Sequence, residues 1–197
     1  MYMRCFLHVF LMGLMGFIFS AQMAYGQCEL IHNKVDDFDS TLTVAAKPVN
    51  VGYIIPSNFE TPEGPKMVEE GKLLFSYSEH DSIHGFFLIV AVQEREYLRV
   101  DNDFNVLLML DDNQIIELMN FSDAGIFDPN TNMRLYQHTC IVPLDLFYAL
   151  SHLKIAKIRI QYRTYKHTIE LSARQQEAFR ASVRCVGDAV NMLQIRP

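Results

Sequence analysis

Tryptophan is absent from the 197 residues, and glycine (9), proline (7) and cysteine (4) are sparse. Glycines this few and scattered leave no phosphate-cradling loop. Without tryptophan, a sugar platform would have to use tyrosine or phenylalanine, such as Tyr53, Phe59 or Phe127. Bases are outnumbered, 17 Lys and Arg against 23 Asp and Glu, for a net charge of −6. That balance argues against nucleic acid, which draws a basic surface. Charged residues at 20% and apolar ones at 50% exclude disorder, collagen and coiled coil. What remains is a globular chain with ample length for a core, one domain in size.

Residues 1–26 read as a secretory signal peptide. Arg4 is its only formal charge, an apolar run extends from Cys5 to Phe19, and Ala24-Tyr25-Gly26 offers small residues at −3 and −1 of a cleavage point. The run of about 15 residues falls short of the roughly 20 that cross a bilayer. A lipidated N-terminus at Cys28 would need a small residue before it, and Gln27 stands there. Cleavage after Gly26 leaves 171 residues, one charge more negative for the loss of Arg4. No later stretch approaches membrane-spanning length, so the mature chain is expected in the periplasm, at the cell surface or outside the cell.

Cys28, Cys140 and Cys185 survive processing. Three thiols in an oxidising compartment suggest one disulfide and one leftover. Cys28–Cys185 would staple both ends of the domain, contributing roughly 4–5 kcal/mol on a chain-entropy view. Cys140, before a proline in an apolar strand, suits a small buried hydrophobe.

From residue 29 onward, short apolar runs alternate with turn residues. Strands are predicted near 30–35, 41–47, 72–78, 85–93, 96–100, 105–110, 114–119 and 134–142, with a final hairpin pairing 156–163 and 166–171. In Lys157–Arg163 apolar and charged residues alternate strictly, which gives one wet face. Phe86–Val92 and Val106–Leu110 do not alternate, so both faces of those strands need a cover of helix, loop or partner. A short helix is predicted over 144–150 and a longer one over 172–193. Ser172 and Gln175 form its capping box, and Phe179, Val183, Val186, Val190 and Leu193 form one apolar stripe. Segments 54–71 and 121–133 read as loops. The fold expected is β-rich α+β: a two-layer antiparallel β-sandwich with a short helix and a C-terminal amphipathic helix packed on a sheet, that helix shielding the sheet's outer side.

Chemistry-bearing clusters are few. His80 and His84 flank a turn, so their four-residue spacing lacks the helix that would make it a metal pair. His138 and Cys140 share a strand face with no second ligand pair nearby. Asp128, Asn130 and Asn132 imitate the start of a calcium loop, but Met133 and Thr139 occupy the positions that need glycine and glutamate. Asp111-Asp112-Asn113 and the Asp36, Asp37, Asp39 cluster read as turns. No strained Gly-x-Ser-x-Gly elbow is present. Asn120-Phe121-Ser122 has the form of a glycosylation sequon. No catalytic, cofactor-binding or metal residue is assigned.

Asp37-Phe38-Asp39-Ser40, the 143–150 helix, Lys157-Ile158-Arg159-Ile160, the hairpin and the closing helix together resemble uncharacterised secreted β-rich proteins of Bacteroides-type bacteria. The resemblance implies an envelope-associated β-sandwich and transfers no functional residue. It also makes Ser40 and Ser82, in Asp-Ser-Thr and Asp-Ser-Ile, candidate O-glycosylation acceptors. The function expected is a non-enzymatic binding or structural domain with no cofactor and an unknown protein or glycan partner. The alternative is a hydrolase in which two or more of His80, His84, His138, His152 and His167 meet carboxylates only in the fold.

Overall fold

The computed structural model describes residues 29–193; the leader 1–26 and Cys28 lie outside the described residues. Eleven strands form one antiparallel sheet: β1 (Leu30–Val35), β2 (Leu42–Ala46), β3 (Val49–Thr61), β4 (Gly64–His80), β5 (Ile83–Glu94), β6 (Asp103–Leu110), β7 (Ile115–Asn120), β8 (Ile126–Asp128), β9 (Met133–Val142), β10 (Ile155–Gln161) and β11 (Lys166–Glu170). Two helices interrupt and close the series, α1 (Leu144–His152) and α2 (Ala173–Ala189). The strand order is β1-β2-β4-β5-β9-β7-β6-β10-β11, with β3 beside β4 and β8 beside β9.

The sheet is layered because it is hinged. Between β7 and β9 the ladder narrows to one register pair, Asn120 opposite Cys140. On one side of that hinge lie β1–β5, β8 and β9; on the other, β6, β7, β10 and β11. The halves face each other: Tyr136 and His138 of β9 lie 6.1 and 5.7 Å, ring to ring, from Tyr162 beyond β10. The two layers expected from the sequence are thus arms of a single open sheet. β11, at the end of the order, reaches β3 and β4 through side chains: Ile169 packs at Gly52 and Gly71.

Helix α2 starts where its capping box predicts. Gln175 N–H donates to the Ser172 hydroxyl, and the Gln175 carbonyl oxygen accepts from Ser172 N–H. It ends at Ala189 rather than at Leu193, because Asn191 turns left-handed (φ 59°) and Met192 N–H bonds back to Gly187. Its stripe does not shield the outer side of the sheet. Phe179 meets Phe75 edge-on at 6.2 Å, and Phe75 joins the stack of Phe86 and Phe147, so α2 lies on the inner face.

Segment 54–71 is not a loop. It is the outer part of the β3–β4 hairpin, an arm turned by Pro62-Glu63 ahead of Gly64 (φ +99°). Its prolines are tolerated because β3 has only β4 as ladder partner and its register shifts twice. The predicted strand 96–100 is irregular; Leu98 and Val100 are buried, but Leu98 N–H donates to the Tyr136 hydroxyl (2.7 Å) instead of a ladder. Within 121–133 a short strand, β8, pairs with β9.

Candidate functional site

The residues predicted to turn do so by local chemistry. Asp36, Asp39, Asp112 and Asp128 accept from backbone N–H groups two residues on. Ser40 (φ 60°) and Ser82 (φ 68°) stand exposed in the neighbouring β1–β2 and β4–β5 turns, joined by a contact of the Thr41 hydroxyl with His80 Nδ1 (3.2 Å). His32, His80, His84 and His152 are exposed. Tyr53, Phe59 and Phe127 are exposed. Asn120 is fully buried, so the sequon is closed to a glycosyl donor in the folded chain. Cys140 is free and buried, and burial pushes its thiol up to about 12, far from a reactive thiolate. Cys185 is buried on α2.

The fold gathers a polar cluster that local sequence did not announce. His167 of β11 is gripped on both ring nitrogens: Nδ1 lies 2.7 Å from Glu94 Oε1 and Nε2 lies 3.0 Å from Glu70 Oε1. All three side chains are largely withdrawn from solvent. Burial pulls the His167 pKa down, but the hydrogen bonds and charges of Glu94 and Glu70 outweigh it, and the net shift is upward. A ring that donates from both nitrogens is an imidazolium. The other oxygen of Glu70 accepts from Tyr53 N–H (2.9 Å), at the register shift where Gly52 (φ +72°) leaves room for the carboxylate.

Behind this clasp the network continues inward. The Tyr162 hydroxyl lies 3.1 Å from His138 Nε2 and within the electrostatic reach of Glu94. His138 Nδ1 meets the Asn120 amide nitrogen (3.1 Å), which also donates to Asn105 (2.9 Å). Burial, helped by the charge of His167 and opposed by Asp123, lowers His138 to about 4. It is therefore neutral, accepting from Asn120 at Nδ1 and donating from Nε2–H to Tyr162. Burial first, then Glu94, pushes the Tyr162 hydroxyl far above its ordinary value, so it donates.

Two clefts flank the arm. The first, of about 580 Å³, is lined by Glu70, Glu94, Glu96, Tyr165 and His167, with Ile55 and Leu98 among its apolar residues. The second, of about 540 Å³, lies on the outer face of β4, β5 and β9. Leu74, Ile89, Ala91 and Leu135 line it together with Ile54 and Met67 of the arm. Gln93 lines both, and its Oε1 is buried with no hydrogen-bond partner.

Chemically, the clasp is a poor catalytic base, because neither imidazole nitrogen keeps a free lone pair. Among the described residues, no group of three or more His, Cys, Asp or Glu is placed to hold a metal ion, and no helix is long and apolar enough to cross a membrane. Sequence reasoning named His138 and His167 but missed Glu70 and Glu94. The only signal was their position beside apolar strand runs where a charge needs a partner. Comparison of the chain with protein-family models, with curated proteins and with solved structures finds no match.

Proposed function

We propose that this chain is an exported, non-enzymatic binding domain whose ligand surface is the cleft between the β3–β4 arm and the outer face of β4, β5 and β9. One observation carries the reading. The apolar run of β5 needs cover on both faces; α1 and α2 cover the inner one, while Ile89 and Ala91 of the outer one line an open cleft. Ile54 and Met67, each 60% exposed, give the arm an apolar flank facing it. A protein or glycan partner of the envelope is the expected ligand, and no cofactor is invoked.

The test uses the mature chain, residues 27–197. Partner capture from envelope fractions is expected with the native chain and lost in an Ile54→Lys/Met67→Lys variant whose circular dichroism is unchanged. Equal capture by both would refute the assignment. The clasp supports one rival, a carboxylate-dependent hydrolase, since it places Glu70, Glu94 and His167 in a cleft. Turnover of nitrophenyl esters or glycosides that vanishes in Glu94→Gln would establish the rival instead.

Export and modification belong to the same proposal. Intact mass of the secreted protein is expected to show cleavage after Gly26, with added glycan at Ser40 or Ser82. With the Cys140 thiol free and buried, Cys28–Cys185 is the pairing to look for by non-reducing peptide mapping.

A further inference from the structure

The layers of the sheet meet at a seam between β3 and β11 that carries no ladder. What holds it is a short set of side-chain ties. Ile169 fills the space over Gly52 and Gly71, Gln175 donates to Gly52 O (3.0 Å), and His167 reaches from β11 to Glu70 and Glu94. Glu70 in turn fixes Tyr53 N–H, so one carboxylate joins both strands of the arm's root to β11. Further out the arm is tied differently, by Asn58 N–H to Thr131 O, Asn132 to Asn58 O and Arg95 to Pro56 O. Those outer ties involve no side chain that titrates near neutrality.

We propose that Glu70–His167–Glu94 is a proton-dependent latch on the root of the β3–β4 arm, closed while His167 is an imidazolium and released when it loses its proton. The imidazolium satisfies two buried carboxylates at once. The neutral ring can donate to only one, and its remaining lone pair then points at the other carboxylate, so an ion pair is lost and a repulsion takes its place. The charged or titratable groups facing His167 are Glu70 from β4, Glu94 from β5, and Tyr165, whose ring lies 6.2 Å away. Arg95 and Glu96 also line the cleft, and Tyr162 and His138 lie behind Glu94. Among these, His138 stays neutral above about 4 and Tyr162 and Tyr165 are shifted upward, so His167 is the member that changes charge above pH 6.5.

The latch stands whether or not the outer cleft binds a ligand, and its test reads the arm alone. Amide exchange of the mature chain, corrected for intrinsic base catalysis, is followed from pH 6 to 9. Protection of Tyr53 and of 166–170 is expected to fall about tenfold per pH unit between 6.5 and the raised His167 value, then level off. Amides of the exposed edge strand β1, which open by local fraying away from the root, serve as the reference. The pH at which the fall levels off is expected to coincide with the midpoint of the imidazole NMR titration of His167, a readout that needs no variant. In His167→Gln the pH step disappears, and in Glu70→Gln, where Glu94 still pairs with the ring, it shrinks. A flat profile in the native chain, a levelling-off at a pH unlike the His167 titration midpoint, or a step that persists in His167→Gln would each overturn the latch.

Discussion

At the scale of single residues, Gly52 shows how much depends on an absent side chain. A Cβ there would stand 2.1 Å from Glu70 Oε2 and 3.0 Å from Ile169. Glu70 is flexible, but the oxygen that must move is the one accepting from Tyr53 N–H, and the carboxylate also holds His167. The backbone is left-handed at φ +72°, which alone costs a side-chain-bearing residue about 1–2 kcal/mol. Gly52→Ala is therefore expected to lower stability by about 2–3 kcal/mol in urea unfolding and to expose the Tyr53 amide to exchange. An effect no larger than the backbone cost of about 1–2 kcal/mol would mean that Glu70 relaxes freely and does not anchor the root. Nothing in the sequence around Gly52 singles it out; its importance comes from Glu70, which a bulge brings across from the facing strand.

At the scale of elements, the start and the apolar stripe of α2 were legible because they are local, whereas its end at Ala189 was not. Ser172 and Gln175 need only each other, and the 3–4 spacing of Phe179, Val183 and Val186 needs only the helical repeat. Its partner was not legible: the stripe states that a cover exists, not which face of the sheet receives it. The arm was misread for the opposite reason, since Pro56, Pro62, Pro65 and Gly64 look like loop punctuation until a one-sided strand pair accommodates them. Gly187 tests propensity against packing on the same helix. Alanine there would gain up to about 1 kcal/mol of helix propensity. Its Cβ would meet Phe147 Cζ at 2.6 Å and Leu193 Cγ at 2.8 Å, and Phe147 is pinned by a 4.0 Å stack on Phe86. Overpacking of this kind costs about 1–3 kcal/mol, so Gly187→Ala is expected to lower the melting temperature. Phe179→Ala, which removes the edge-on contact of the same helix with Phe75, is expected to cost about 3–5 kcal/mol. A raised melting temperature for Gly187→Ala would show that α1 and α2 can separate without loss.

At the scale of the whole molecule, two buried histidines of opposite character set the pH range over which the layered sheet is stable. Both were visible in the sequence as single residues. Their environments were not, because His167 meets partners 73 and 97 positions away, and contact at that separation is decided only by how the sheet hinges. His138 is held below its ordinary value, so the unfolded chain binds a proton that the folded chain refuses. Its penalty begins as pH falls below 6.5 and is complete near 4, on the order of 3 kcal/mol in all. His167 is held above its ordinary value, so its contribution is full below 6.5 and is lost as pH rises through the raised value. Stability is expected to peak near pH 6.5 and fall on both sides. The acid limb between 6.5 and about 4.5 belongs to His138, because Asp39, Asp101, Asp128 and Glu177 are all shifted downward and titrate below it. Urea unfolding from pH 4.5 to 9 of the native chain, His138→Gln and His167→Gln separates the limbs. His138→Gln is expected to flatten the acid limb and leave the alkaline one, and His167→Gln the reverse. A native profile that is level across pH 6 to 8, or one in which either substitution removes both limbs, would show that the two histidines do not titrate as independent parts of one polar interior.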